Sequence, residues 1–316
     1  MQGIHVRAFV SVRVASMLEM VVSLVFGEVL EKEYLTPGMV RIVFGGTELA
    51  AFESSGIGDE YLRLHFPVPE TGKFVLPVED PDAPRGWRYP EGVAVSPCQP
   101  YTVRRFDADT NHVTIDFVVH EGGVASEWAQ AAVVGDTLAL TEPRGLYEPP
   151  EGAHRQIFVA DATGLPALGR LIEQLPSGTS VKAIVEVVDE SHKQQIDSAA
   201  DVEFIWLVGS GNGVGPSQLP NVIRAMNLPT DLGYIWVAGE SSMLRDIRKY
   251  LRHELKLPAA RYKIIGYWTY KAEAWLAKYE ALDENIRNAI DAAWESDRDE
   301  EEIRDEVEKT LESAGL

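Results

Sequence analysis

The sequence predicts an N-terminal antiparallel Greek-key β-barrel, then a parallel-sheet α/β domain, then a C-terminal helical extension. Two observations carry this division. Up to about residue 150, short stretches of partial apolar alternation are broken by Gly, Pro and Asp clusters, as in half-buried antiparallel strands. From His154 onward, apolar strands alternate with helical segments, the pattern of a parallel sheet covered on both faces. A length of 316 residues allows two domains, each with its own core. The expected boundaries are 1–26 for an N-terminal extension, 27–152 for the barrel, 153–270 for the α/β domain and 271–316 for an acidic helical extension.

Taken in order, the apolar run 17–26 contains Glu19, and its uncharged part, 20–26, is far short of the roughly 20 residues a membrane span requires. No basic stretch and cleavage site mark a signal peptide. Barrel strands are expected at 40–44, 61–66, 113–119 and, after the Gly135-Asp136 turn, 137–140. Closing about six such strands into a barrel buries their edges. The Pro-rich segment 78–97 is expected as a long irregular loop. In the second half, strands are expected at 156–160, 181–188, 204–208, 234–238 and 262–268, with helices at 165–175 and 242–255. Ligands of such sheets bind beyond the carboxyl ends of the strands. The run Gly209-Ser210-Gly211-Asn212-Gly213-Val214-Gly215 lacks the spacing of a dinucleotide fingerprint and is followed by Pro216 and Pro220. It is expected to be a flexible loop. The tail predicts one or two helices, 272–294 and 299–314, with Trp275, Leu276, Tyr279 and Leu282 packing on the body. The acidic run 297–302 reads as a solvated helix start, where carboxylates favour the helix dipole.

A net charge of −20 argues against nucleic acid and anionic membranes as partners. The single cysteine, Cys98, excludes an internal disulfide framework and fits a reducing compartment, so a cytoplasmic protein is expected. Cys98 itself reads as a small buried residue. With no second Cys and no HxH pattern near it, no protein-held metal is expected.

The residues with the clearest chemistry lie between Gln99 and Ser126. In Gln99-Pro100-Tyr101-Thr102-Val103-Arg104-Arg105, an aromatic side chain is followed by a hydroxyl at a strand end. That pair can stack on a flat ring system and hydrogen-bond its edge. One strand later, His120-Glu121-Gly122-Gly123-Val124-Ala125-Ser126 opens a short helix whose first N–H groups can meet a phosphate. Together they suit a flavin dinucleotide, with the ring at Tyr101 and Thr102, the pyrophosphate at 123–126, and Ser126 adding a hydroxyl.

Met39-Val40-Arg41-Ile42-Val43-Phe44-Gly45-Gly46, Asp59-Glu60-Tyr61-Leu62-Arg63-Leu64-His65-Phe66-Pro67, the flavin stretch, Asp161-Ala162-Thr163-Gly164-Leu165-Pro166-Ala167 and Trp236-Val237-Ala238-Gly239-Glu240 occur in this order. With them the chain, over about 27–274, resembles the siderophore-interacting proteins, flavin-dependent ferric-siderophore reductases of the ferredoxin-reductase superfamily. The resemblance implies bound FAD, with Tyr101 and Thr102 at the reacting ring. It implies flavin contacts from Gln99, Val103, Arg104, Asp116, Val118, His120, Gly123, Val124, Ala125 and Ser126. It assigns the pyridine nucleotide to Thr163, Gly164, Ala238, Gly239, Glu240 and Trp268. NADPH is the favoured donor, with NADH or ferredoxin as alternatives. Residues 186–193 offer His192 and Lys193 but no clear clamp for a 2′-phosphate.

The substrate implied is a ferric siderophore, which brings its own iron. A local basic pocket must then oppose the overall charge, and the resemblance implies Arg63 (where Lys is usual), Arg144 and Lys271. Gln99 stands where the superfamily has an Arg for the flavin pyrophosphate. Either Arg104, Arg105 or the 123–126 amides compensate, or FAD binds more weakly. The expected activity is NAD(P)H-dependent reduction that releases Fe(II) in the cytoplasm, by a monomer without nucleic-acid or membrane partners. The alternatives are a general NAD(P)H:flavin or ferredoxin-type oxidoreductase, and a non-catalytic siderophore or flavin carrier.

Overall fold

The computed structural model describes residues 24–80, 82–83, 87–226, 228–229 and 232–316. The expected N-terminal extension therefore lies, up to residue 23, outside the described residues. Alternating apolar residues build the first core. Its elements are β1 (Leu24–Thr36), β2 (Met39–Gly45), β3 (Tyr61–His65), a ribbon of β4 (Val78–Glu79) and β5 (Trp87–Arg88), β6 (Cys98–Thr102), β7 (Arg105–Asp107), β8 (His112–Val118), helix α1 (Val124–Ala131) and β9 (Thr137–Thr141). Leu24, Val25 and Phe26, placed before the barrel by the sequence reading, pair with Thr141, Leu140 and Ala139 and belong to it.

Seven antiparallel strands run in the order β6-β3-β9-β1-β2-β8-β7. Just past β6, the Arg104 N–H donates to the Thr114 carbonyl of β8 at 2.9 Å, which joins the two ends of the sheet. Inside lie Ile42, Phe44, Leu62, Leu64, Phe66, Ile115, Phe117 and Leu138, all fully buried. Each such side chain contributes roughly 1.5–3 kcal/mol of transfer free energy. The segment 78–97, expected to be irregular throughout, carries the β4–β5 ribbon, with Val78 opposite Arg88 and Glu79 opposite Trp87.

The second core forms around five parallel strands: β10 (Arg155–Ala160), β11 (Ser180–Val187), β12 (Asp201–Val208), β13 (Tyr234–Glu240) and β14 (Tyr262–Trp268), in the order β12-β11-β10-β13-β14. Helix α2 (Leu165–Gln174) packs on one face, and α3 (Leu219–Ala225) and α4 (Ser241–Lys249) on the other. Pro220 sits in the first turn of α3, where its missing N–H costs no helix bond. The glycine-rich run 209–215 follows β12 but is not the free loop expected. Ser210 Oγ and the Gln218 N–H both donate to Glu186 Oε1 at 2.7 Å. Asn212 donates to the Glu186 carbonyl and accepts from the Ala162 N–H.

Buried charge seats the α/β layer on the barrel. Glu60, just before β3, pairs with Arg170 of α2 at 2.7 Å, both nearly inaccessible. Arg170 also donates to the Val103 carbonyl, while Ser54 and Ser55 hydroxyls donate to Glu60. Next to it, Asp59 accepts from the Leu146 and Tyr147 N–H groups and from Trp236 Nε1 of β13 at 2.9 Å.

The tail forms α5 (Ala272–Glu280), α6 (Glu284–Trp294) and α7 (Glu300–Ser313). Trp275, Tyr279 and Leu282 pack with Ile290, Ile303, Val307 and Leu311 into a small core of the tail's own, in place of the expected packing on the body. Contact with the body is made by charge. Arg248 of α4, almost fully buried, donates to Glu301, Asp305 and Glu308 of α7. Glu301 therefore docks on α4 and on the Tyr262 hydroxyl, a correction to the solvated reading of the acidic run. Among the described residues no helix is long and apolar enough to cross a membrane.

Replacing Arg170 with Met leaves Glu60 buried without its counter-charge. The expected loss is about 3–5 kcal/mol of unfolding free energy, read by urea denaturation. A loss below ~1 kcal/mol would show that the seam does not depend on this pair.

Candidate functional site

The β3–β6 ladder sets the first half of the site. Tyr61 is opposite Thr102, Arg63 opposite Pro100 and His65 opposite Cys98. Because side chains alternate along a strand, these residues share one face, and Gln99 and Tyr101 share the other with Leu62 and Leu64. The Tyr101 ring is half-buried against Phe117, centroids 4.6 Å apart, and burial pushes its hydroxyl pKa up. Thr102 is buried, and Tyr267 of β14 lies close enough for the Thr102 hydroxyl to act on its phenol. The hydroxyl expected at the ring edge thus already touches the α/β layer.

At α1 the geometry suits a diphosphate. Gly122 and Gly123 have φ of 71° and 89°, in the left-handed region that favours glycine. A Cβ at Gly122 would meet nothing within 4 Å, while one at Gly123 would lie 2.9 Å from the His120 ring, so the approach is open at Gly122 and flanked by His120 at Gly123. The first N–H groups of the helix have no partner within it. Gln99 is half-buried, and its side chain makes no hydrogen bond among the described residues.

Several expected flavin contacts are engaged elsewhere. Val103 is fully buried, with its N–H on the Glu60 carbonyl and its own carbonyl on Arg170, so it has no surface to offer a ligand. Asp116 is held by Arg41 through two bonds of 2.7 and 2.8 Å and is inaccessible. Arg104 makes a bidentate pair with Glu173 and lies 3.7 Å from Asp116, so its charge is already balanced. The Ser126 hydroxyl accepts from the His120 N–H and donates to the His120 carbonyl, which clips the loop shut. These two bonds shape the turn. His120 is exposed, while Val118 and Val124 are half-buried and Ala125 is buried.

On the outer face, Arg63 and Arg144 meet around Tyr61. Arg144 is bridged to Tyr61 by a pair of backbone bonds of 2.9 and 2.8 Å, and both guanidiniums act on the Tyr61 hydroxyl. Lys271 lies on the other side, its ammonium 5.1 Å from the Tyr270 ring. No described contact joins it to the two arginines. One pair further along the ladder, Cys98 Sγ is 3.6 Å from His65 Nε2. Burial pushes the Cys98 thiol up, against the nearby Arg63.

At the carboxyl ends of the parallel strands the expected phosphate turn is closed on itself. Asp161 Oδ1 accepts from the Thr163 N–H, the Thr163 hydroxyl and the Gly164 N–H, and Asn212 takes the Ala162 N–H. Asp161 Oδ2 accepts from Trp268 Nε1 at 2.7 Å. Ala238 and Gly239 are buried under this turn: a Cβ at Gly239 would lie 2.7 Å from Asp161, and one at Gly164 3.0 Å from the Ala238 carbonyl. Glu240 caps α4 through the Ser242 and Met243 N–H groups and accepts from the Tyr270 N–H. In this arrangement only Thr163 and Trp268 of the expected nucleotide contacts present partly exposed side chains beyond Glu240's engaged carboxylate. Sequence reasoning missed Tyr61, Tyr267, Asn212 and Glu186, whose relevance arises only from long-range contacts. Among the described residues no group of three or more His, Cys, Asp or Glu is placed to hold a metal ion.

His65 gives this face a pH signature. Burial, then the Arg63 charge, pushes its pKa down to about 4 from 6.5. Between those values the unfolded chain binds the proton and the folded chain does not, so stability falls as pH drops from 6.5 to 4. The expected loss is up to ~3 kcal/mol, and His65→Gln should flatten this part of the stability–pH curve. An identical slope in the variant would assign the effect to other groups.

Comparison with known proteins agrees with this layout. Residues 28–147 match the family model described as a siderophore-interacting FAD-binding domain, and residues 153–271 match the one described as siderophore-interacting protein. An Escherichia coli protein named NADPH-dependent ferric-chelate reductase is 32% identical over 76% of this chain and 91% of its own length. The ferric vibriobactin reductase of Vibrio cholerae is 30% identical over 75% and 86%. The crystal structure of a siderophore utilization protein from T. fusca superposes with a TM-score of 0.70 at 34% identity, covering 78% of this chain and 93% of that one. The chain is thus an oxidoreductase and belongs to the siderophore-interacting protein family.

Proposed function

We propose that the chain is an FAD-containing reductase that passes electrons from a reduced pyridine nucleotide to a ferric siderophore and releases Fe(II) in the cytoplasm. The observation that carries this reading is the shared face of the β3–β6 ladder. Thr102 at the expected ring edge and Arg63 at the expected chelate site are one cross-strand pair apart on that face, roughly 7 Å along the strand. Bound FAD supplies the conversion between two-electron and one-electron chemistry.

The chain's residues provide placement. Phe117 fixes the Tyr101 ring, Tyr267 lies beside the Thr102 hydroxyl, and the α1 amides meet the diphosphate without help from Gln99. Arg63 and Arg144 draw an anionic chelate to the face that carries Thr102. Reduction lowers the charge density of the iron, and hard oxygen donors then hold it less tightly. The pyridine-nucleotide donor is supported by the name of the E. coli relative and by the partly exposed Thr163 and Trp268 at the carboxyl ends of the parallel strands. The single cysteine supports a reducing compartment.

The visible spectrum tests the reading. Flavin bands should bleach on adding reduced pyridine nucleotide and return on adding a ferric siderophore. Absence of flavin bands even after added FAD would instead indicate a carrier. Arg144→Ala should raise KM for an anionic ferric siderophore about tenfold, the equivalent of ~1.4 kcal/mol, with the flavin spectrum unchanged. An unaltered KM would remove Arg144 from the substrate site.

A further inference from the structure

Tyr61 sits between the two places that the proposed reaction has to bring together. Its N–H donates to the Arg144 carbonyl, and its carbonyl accepts from the Arg144 N–H, at 2.9 and 2.8 Å. Both of its backbone groups are used on that side, so its pairing with Thr102 on the other side is of the non-hydrogen-bonded kind. Such pairs hold their Cα atoms about 4.5 Å apart, against about 5.5 Å for a bonded pair such as that with Arg144. Side chains directly opposite one another share a face. Thr102, Tyr61 and Arg144 therefore form one row across the sheet, and Arg63 is the next residue of β3 on that face. A chelate that reaches from the expected ring edge to the two arginines lies over Tyr61.

The substrate needs a proton at this point. Bound iron holds its ligand oxygens deprotonated, and protons replace the metal when it leaves. Arg63 and Arg144 do not give theirs up. His65 and Cys98 contact each other further along the strands, about 13 Å from the Tyr61 row. The Thr102 hydroxyl lies against Tyr267. The Tyr61 side chain is half-buried, and its hydroxyl has no hydrogen-bond partner among the described residues. It is the group in the row with a proton to give.

We propose that Tyr61 is a catalytic residue of the reduction, whose hydroxyl protonates the siderophore oxygen that releases the iron. The assignment rests on the reductase reading above. Fe(III) takes one electron, supplied under that reading by the reduced flavin, and becomes Fe(II). The bond from iron to a hydroxamate or phenolate oxygen then breaks with its electron pair left on the oxygen. A new O–H bond forms there as the O–H bond of Tyr61 breaks, and the tyrosine phenolate takes a proton back from water.

The surroundings of Tyr61 suit both halves of this exchange. Burial raises its pKa above the ordinary phenol value, which keeps the proton in place before reduction, while the Arg63 and Arg144 charges favour the phenolate left behind. The two arginines thus stabilise the spent acid as well as attract the chelate. The assignment also sorts substrates by donor chemistry. Carboxylate donors, with an ordinary pKa of about 4, stay ionised at neutral pH after the iron has gone and need no such proton.

Two chelates compared in Tyr61→Phe test the assignment, with Fe(II) release read by a ferrous-specific dye. With ferric acetohydroxamate, release should slow on the order of 100-fold, the lower end of what a positioned general acid supplies. With ferric trioxalate, whose donors are carboxylates, the slowing should be at least ~tenfold smaller. In D2O the unaltered protein should release iron from acetohydroxamate more slowly than in H2O, and Tyr61→Phe should lose that difference. Equal slowing with the two chelates overturns the assignment, because it would place Tyr61 in electron transfer or in the fold. Unslowed release from acetohydroxamate overturns it too, as does a solvent isotope effect that survives the substitution. Failure of the unaltered protein to reduce either chelate overturns the reductase reading itself, which separates the two failures.

Discussion

The placement of the site depends on two adjacent carboxylates, Asp59 and Glu60, at the rim of the barrel. Each is buried, and each reaches out of the barrel for its partner: Trp236 of β13 for Asp59, Arg170 of α2 for Glu60. An uncompensated carboxylate in such a place is strongly unfavourable, so the two halves of the chain meet in the one register that satisfies both. The same residues lead directly into Tyr61 and Arg63. The strand that presents the basic face is thus the strand that docks the α/β layer, and Tyr267 reaches Thr102 as a consequence. Packing alone would tolerate a sliding of the two layers; buried, directional polar bonds do not.

A second constraint runs along the carboxyl edge of the parallel sheet. Sheets of this kind usually leave helix N-termini and turn amides free for phosphate. Here Asp161 closes the turn before α2, Glu240 caps α4, and Glu186 holds the loop after β12. The chain satisfies its own donors in the absence of a ligand, which spares it buried unpaired N–H groups. Under the proposed function, a nucleotide that binds at this edge must displace internal bonds to reach these donors.

Much of the fold was legible because its signals are local. Alternation marked β2, β3, β8 and β9, and apolar runs bounded by turns marked the parallel strands. The position of Tyr101 and Thr102 at a strand end was legible for the same reason. Other features come only from the folded chain. Ser126, Asp116, Val103 and Arg104 are expected at the ligand from the family resemblance, and in the fold each also has an internal partner. Their partners, His120, Arg41, Glu60 and Glu173, are fixed by tertiary contacts that spacing does not encode. Glycine content suggested that 209–215 is mobile, yet Asn212 and Ser210 tie it to Glu186 across 26 and 24 residues of sequence. The tail's apolar stripe was read correctly as buried, but periodicity gives a face and says nothing of what it faces.

Part of the chain's negative charge is gathered in the tail. Residues 297–312 carry nine acidic and three basic side chains, a net of −6 within the total of −20. In the fold, α7 lies against α4 and the start of β14, where Glu301 accepts from Tyr262, and Arg248, Arg252 and Lys249 offset part of its charge. The carboxyl end of β14, at Trp268, is six residues further on, about 20 Å along an extended strand. That is roughly two Debye lengths at physiological salt. Screening therefore weakens the charge of Glu301 at the far end of that strand. Under the proposed function, an approaching chelate meets first the local field of Arg63 and Arg144, and net charge, the first quantity read from the sequence, is a poor guide to it.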